Sequence, residues 1–143
     1  MEKNSRTLMM ELYHTNKEWL KHMKNCAHEV GIPEPYRVII MYLSRTPGAS
    51  QKELAAYAGK TTAAINQTVK EMEAEGYIRK ETDAKDGRYT RLYATDKGME
   101  KATLARERIR QSDERITCAL TPEKEKELTE LLLQLRRVIE EEL

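Results

Sequence analysis

Two clusters of side chains stand out for the chemistry they can perform. In the first, Thr62, Ala63, Asn66, Gln67 and Lys70 recur at helical spacing. Side-chain amides can make paired hydrogen bonds to the edge of adenine, and a methyl group of Ala or Thr can touch the thymine methyl. Asn66 and Gln67 are the base-reading candidates, and Lys70 suits a phosphate. In the second cluster, Lys85, Asp86, Arg88 and Arg91 surround Gly87. Arginine on a loop tip suits a narrow minor groove, where negative potential is concentrated. Asp86 is spaced to pair with Arg88 and hold its guanidinium in one orientation, while Lys85 and Arg91 can meet phosphates. Both clusters carry recognition chemistry for double-stranded DNA. The competing readings are a solvated helix face for the first and an exposed hairpin with a weak ion pair for the second.

The surrounding elements must position these groups. From about Ser5 to Val30, the apolar residues Leu8, Leu12, Trp19, Met23, Ala27 and Val30 recur at mostly three- and four-residue intervals and predict a long helix. Gly31, Pro33 and Pro35 punctuate the link to a second helix that carries Tyr36, Ile39, Ile40 and Leu43 inward. Ser50 and Glu53 form a capping box at the start of a third helix, which runs through Leu54, Ala55 and Tyr57 to Gly59. After Gly59-Lys60-Thr61, a fourth helix turns Ile65, Val69 and Met72 inward and stops at Gly76. This leaves Thr62, Ala63, Asn66, Gln67 and Lys70 facing away or sideways. The stretch from Tyr77 to Thr82, and a partner strand near Thr90 to Ala94, predict a hairpin whose turn holds Arg88. Thr95 caps a fifth helix with seven-residue rows Ala102/Ile109/Ile116 and Ala105/Ser112/Ala119. Thr121-Pro122 opens a sixth, with Leu128, Leu131, Leu132, Leu135, Val138 and Ile139 as its stripe. The expected fold class is mainly α with a small β-hairpin wing, a winged helix-turn-helix plus a helical dimerisation region.

Length and composition set bounds on function. A chain of 143 residues can bury a real core as one domain. Its net charge is +1, so attraction to phosphate must come from local placement of charge. Between Lys60 and Thr95 there are seven basic and six acidic residues, which predicts modest, salt-dependent affinity. No apolar run approaches the roughly 18 residues of a membrane span, and no signal-peptide core follows the first six residues. A cytoplasmic location and reduced thiols at Cys26 and Cys118 are expected. No GxSxG, phosphate-binding glycine loop, HExxH or paired-cysteine zinc motif is present, so no enzymatic activity and no cofactor are expected.

At this point the chain resembles the MarR family of bacterial transcription regulators over nearly all its length. The local match lies in Gln51-Lys52-Glu53-Leu54-Ala55, in Glu73-Ala74-Glu75-Gly76-Tyr77-Ile78, and in the wing pattern carried by Asp86, Arg88, Thr95 and Gly98. Ala94 replaces the usual leucine before that threonine, and Lys60 replaces a commonly apolar residue before the recognition helix. The resemblance implies one MarR-like domain over residues 1–143, with a winged-helix part at about 33–98 and dimerisation helices at about 5–30 and 96–143. It implies a homodimer that reads a pseudo-palindromic operator, most simply as a repressor. Ser50, Gln51, Lys60, Lys70, Lys85, Asp86, Arg88 and Arg91 would then serve as phosphate or wing residues. It further implies a small aromatic acid as effector, with Tyr13, His14, Trp19, Tyr36, Arg37 and Tyr42 near the expected junction and Arg37 suited to a carboxylate.

Two carry-overs fail. His22 and Cys26 can share a helix face with His28 and His14 nearby, but zinc needs three or four ligands and no histidine follows residue 28. Cys26 lies near the end of the first helix, whereas peroxide-sensing relatives place the reactive cysteine near its start. The rival functional reading keeps the fold and changes the partner: a winged helix used for protein contact or as an antirepressor, compatible with Glu140, Glu141 and Glu142 and the near-neutral charge.

Overall fold

The computed structural model describes residues 7–143. Six helices and one hairpin follow in the order α1 Leu8–Glu29, α2 Glu34–Leu43, α3 Gln51–Ala58, α4 Thr62–Ala74, β1 Ile78–Thr82, β2 Thr90–Ala94, α5 Asp96–Thr117 and α6 Pro122–Glu142. Ser5 and Arg6 of the expected first helix lie outside the described residues. Two compact units divide the chain at the step from Arg108 to Ile109, which falls within α5.

In the first unit, Ile32, Ile39, Ile40, Leu43, Leu54, Ile65, Val69, Met72, Ile78 and Leu92 are buried and form the core of the winged helix. Full burial of such a side chain contributes about 1.5–3 kcal/mol. Local chemistry starts and stops the helices as the sequence demands. Ser50 Oγ accepts the Glu53 backbone N–H at 3.2 Å, and Glu53 Oε2 accepts the Ser50 N–H at 2.7 Å. Thr61 caps α4 through the Ala64 N–H at 3.2 Å. At the far end of α4, Gly76 takes φ +79°, the Tyr77 N–H reaches Met72 O at 2.8 Å, and the Gly76 N–H reaches Glu73 O at 3.0 Å. This Schellman closure satisfies two terminal carbonyls and turns the chain into β1.

β1 and β2 pair antiparallel from Ile78↔Ala94 to Thr82↔Thr90. Ala49, in the link before α3, adds a one-residue antiparallel bridge to Leu92. A single bridging residue has no alternating pattern, so periodicity could not reveal it. Tyr77, expected in the strand, instead follows the helix cap. On the two-turn α3, Leu54 and Ala55 are buried and Tyr57 is exposed.

The stripe on α1 is covered unevenly. Cys26 and Ala27 are buried, Leu12, Trp19 and Met23 are half-buried, and Leu8 is exposed. On α5, Ala102, Ala105 and Ser112 are buried and Ile116 is exposed, while Ala119, expected on the same helix, lies beyond its end at Thr117 and is exposed. The α6 stripe has no buried residue: Leu128, Leu131, Leu132, Val138 and Ile139 are all exposed and only Leu135 is half-buried.

Candidate nucleic-acid interface

The helix-turn-helix fixes which residues of α4 face outward. Ile65, Val69 and Met72 occupy the core, and the 3.6-residue period then turns Thr62, Ala63, Gln67 and Lys70 into solvent, with Asn66 half-buried at the edge. Gln51 Nε2 donates to Asn66 Oδ1 at 3.4 Å and ties the start of α3 to the recognition helix. Gln67 Nε2 donates to Glu71 Oε1 at 3.0 Å across one turn. Gln67 must release that bond to turn its whole amide toward a base, which costs little on an exposed face. Ser50 is committed as an acceptor to α3, yet its hydroxyl proton is still available to a phosphate oxygen. Lys60 is exposed in the turn before α4.

The wing tip forms the pair expected from spacing. Arg88 Nε donates to Asp86 Oδ1 at 3.0 Å and Nη2 to Oδ2 at 2.9 Å, a two-point contact. The Arg88 backbone N–H also reaches Asp86 Oδ1 at 3.1 Å. The Arg88 side chain remains 86% exposed. The guanidinium and then the Arg88 N–H hold the Asp86 carboxyl below the usual carboxylate range, and the same pairing raises the guanidinium further. The loop therefore presents an exposed arginine paired with Asp86. Lys85 is exposed beside it.

A residue that sequence reasoning passed over organises this turn. Asp83 accepts the Lys85 N–H at 2.8 Å, the Asp86 N–H at 3.4 Å and Arg91 Nε at 3.0 Å. An aspartate accepting backbone N–H groups two and three residues on is a common turn device, and Asp83-Ala84-Lys85 offered that signal. The Lys85 N–H, then Arg91, hold the Asp83 carboxyl below its ordinary range.

The residues expected near an effector lie on α1 and α2. Tyr36 is 4% exposed, donates its hydroxyl to Glu75 Oε1 at 2.8 Å, and packs edge-on against Tyr77 at 5.5 Å. It links α2 to the end of α4. Tyr42 meets Tyr57 with ring centroids 4.5 Å apart. Arg37 keeps 14% of its side chain exposed, lies 3.5 Å from Glu34, and has a buried Nε that makes no hydrogen bond. Tyr13 and His14 form an edge contact at 5.4 Å on α1 and are exposed. Trp19 packs near His22, whose Nε2 lies 3.3 Å from Cys26 Sγ. Among the described residues, no group of three His, Cys, Asp or Glu side chains is arranged to hold a metal, and neither cysteine is in a disulfide.

Burial, followed by the Glu75 bond, pushes the Tyr36 phenol up to about 12 from its usual 10. A folded-state value above the unfolded one means that Tyr36 contributes stability fully below pH 10. That contribution is lost as pH rises through about 12. Absorbance titration of phenolate formation is expected to show a component near 12 that Tyr36→Phe removes. A titration curve that has no such component, or that Tyr36→Phe leaves unchanged, would exclude the link.

Comparison with known proteins places these features. The MarR family model matches residues 30–88. The HTH-type transcriptional repressor Rv2887 of Mycobacterium tuberculosis is 29% identical over 106 residues, which are 74% of this chain and 76% of that protein. The uncharacterized HTH-type transcriptional regulator YybA of Bacillus subtilis is 31% identical over 105 residues, 70% of this chain and 69% of that protein. The structure of Rv2887 in complex with salicylic acid superposes with a TM-score of 0.71 at 26% identity, covering 92% of this chain and 98% of that one. The transcriptional repressor CouR, bound to a 23-mer DNA duplex, superposes with a TM-score of 0.78 at 20% identity, covering 95% and 96%.

Proposed function

This chain belongs to the MarR family of winged-helix, DNA-binding transcription regulators, and from that premise we propose that it is a homodimeric repressor of a pseudo-palindromic operator, released by a small aromatic acid. The observation that carries the reading is the pairing of an outward polar face on α4 with a charged, pre-oriented Arg88 on the wing. Thr62, Ala63, Asn66 and Gln67 read base edges in the major groove, while Arg88 enters the neighbouring minor groove. Ser50, Gln51, Lys60, Lys70 and Lys85 fix the register on phosphates and sugars.

The dimer is supported by the apolar residues that the chain leaves exposed at both ends, on α1 at Leu8, Met9, Met10, Tyr13 and Leu20, and along the α6 stripe. A partner copy would bury them through residues of about 5–30 and 96–143, leaving about 33–98 for DNA. Two recognition helices then address half-sites about 34–36 Å apart. A dimer seated on a promoter excludes polymerase.

The effector reading rests on Arg37, whose guanidinium would exchange its contact with Glu34 for a ligand carboxylate, and on the aromatic residues Tyr13, His14, Trp19, Tyr36 and Tyr42 of α1 and α2. The relative Rv2887 has been seen with salicylic acid and with p-aminosalicylic acid. A ligand preferring one spacing of the recognition helices shifts the DNA-competent population by its differential affinity.

Selection of bound fragments from random duplex DNA at moderate salt tests the reading. Enrichment of a pseudo-palindrome is the expected result. No enrichment, with and without added salicylate, would overturn it in favour of a winged helix that contacts a protein.

A further inference from the structure

Arg91 looks from its sequence position like one more phosphate contact on the wing, and its surroundings argue otherwise. The side chain projects from β2 and is already spoken for on two sides. Its Nε donates to Asp83 Oδ2 at 3.0 Å, and its Nη1 donates to the Gly48 carbonyl at 3.2 Å. Asp83 is the acceptor around which the wing turn folds, receiving the backbone N–H groups of Lys85 and Asp86. Gly48 lies in the link that leads directly into the Ser50 cap of α3. Two backbone bonds join this link to the wing, Gly48 N–H to Leu92 O at 2.8 Å and Leu92 N–H to Ala49 O at 2.9 Å. One guanidinium thus spans the wing turn and the entrance to the helix-turn-helix. The pair is only partly exposed, at 43% for Arg91 and 17% for Asp83.

We infer that Arg91 is a positioning residue: with Asp83 and the Gly48 carbonyl it clamps the wing at the angle that delivers Arg88 to DNA. The clamp rests on the DNA-binding reading for its purpose but not for its existence. A planar guanidinium can serve a carboxylate and a carbonyl together, whereas an ammonium is a single point charge. The clamp acts through Arg88, so its loss should weaken binding without removing a cation from the phosphates.

The experiment compares wild type, Arg91→Lys, Arg91→Gln and Asp83→Asn on the duplex enriched by selection, across a salt series. All three variants are expected to bind roughly tenfold more weakly, a part of what losing a wing arginine itself costs. The slope of log affinity against log salt should stay at the wild-type value. Asp83→Asn is the sharpest arm. Deleting a negative charge beside DNA would strengthen binding if electrostatics alone were at work, and the clamp predicts weakening. A DNA-free readout accompanies it: amide exchange at Gly48 and Leu92 should rise by about an order of magnitude in Arg91→Gln.

Wild-type affinity in Arg91→Lys, tighter binding in Asp83→Asn and a slope lowered by about one per wing in Arg91→Gln would make Arg91 a phosphate contact and overturn the inference. If wild type enriches no duplex, the functional reading fails by itself. Exchange at Gly48 and Leu92 then decides the clamp, with unchanged rates counting against it.

Discussion

Replacing Arg88 by alanine is expected to weaken operator binding by roughly 30- to 1000-fold, from about 1–2 kcal/mol lost at each of two wings. The guanidinium makes two hydrogen bonds to Asp86, and the Arg88 backbone N–H donates a third to the same carboxylate, which biases the side chain toward one orientation before DNA arrives. The variant should fold as wild type, because the side chain is 86% exposed and its ion pair adds little to stability. Two further readouts separate a wing contact from general weakening. The salt slope should fall by about one per wing in Arg88→Ala. Arg88→Lys should keep the slope while losing affinity, because an ammonium cannot reproduce the two-point pairing with Asp86. Equal affinity of wild type and Arg88→Ala, measured by fluorescence anisotropy over a salt series, would remove the wing from the interface.

The second large effect concerns stability. Gly98 lies in the first turn of α5, and a Cβ there would lie 2.2 Å from the Tyr77 carbonyl oxygen and 2.7 Å from Ile40 Cδ1. The carbonyl cannot simply retreat. It accepts the Thr95 N–H at 3.0 Å, and Thr95 in turn caps α5 through the Gly98 N–H at 3.2 Å while donating its hydroxyl to Gly76 O at 2.5 Å. Alanine would gain up to about 1 kcal/mol in helix propensity. Overpacking against backbone costs about 1–3 kcal/mol and at times more, and here it also breaks a cap worth about 1 kcal/mol. Gly98→Ala is therefore expected to lose roughly 1–3 kcal/mol net, which lowers Tm by about 3–15 °C at matched protein concentration. A melting curve at or above wild type would show that α5 can shift away from Tyr77 without cost.

Both effects are half-legible in the sequence. The spacing of Asp86 and Arg88 already placed a carboxylate next to the wing arginine. Gly98 carried a family pattern, but the pattern did not say what the glycine avoids. The same division runs through the molecule. Helix boundaries, the Ser50–Glu53 capping box, the turn at Gly76 and the outward set on α4 were legible, because each depends on neighbours within about one helical turn. The inward positions Ile65, Val69 and Met72 fix the rotation of α4, and the outward-facing residues follow from that rotation alone.

What the sequence alone determined is the local grammar of this regulator: six helices, one hairpin, their caps, and the type and direction of the side chains on the outer face of α4. The tertiary structure decided how those pieces are held together. Arg91 reaches Gly48 across 43 positions, Tyr36 reaches Glu75 across 39, and the Lys101 ammonium reaches the Val30 carbonyl across 71. No periodicity announces such contacts, since each exists only once helices from distant parts of the chain have packed. Arg91 shows the consequence most clearly. A cation on a wing reads as a phosphate ligand in sequence, and only the folded chain reveals that Asp83 and the Gly48 carbonyl already hold it.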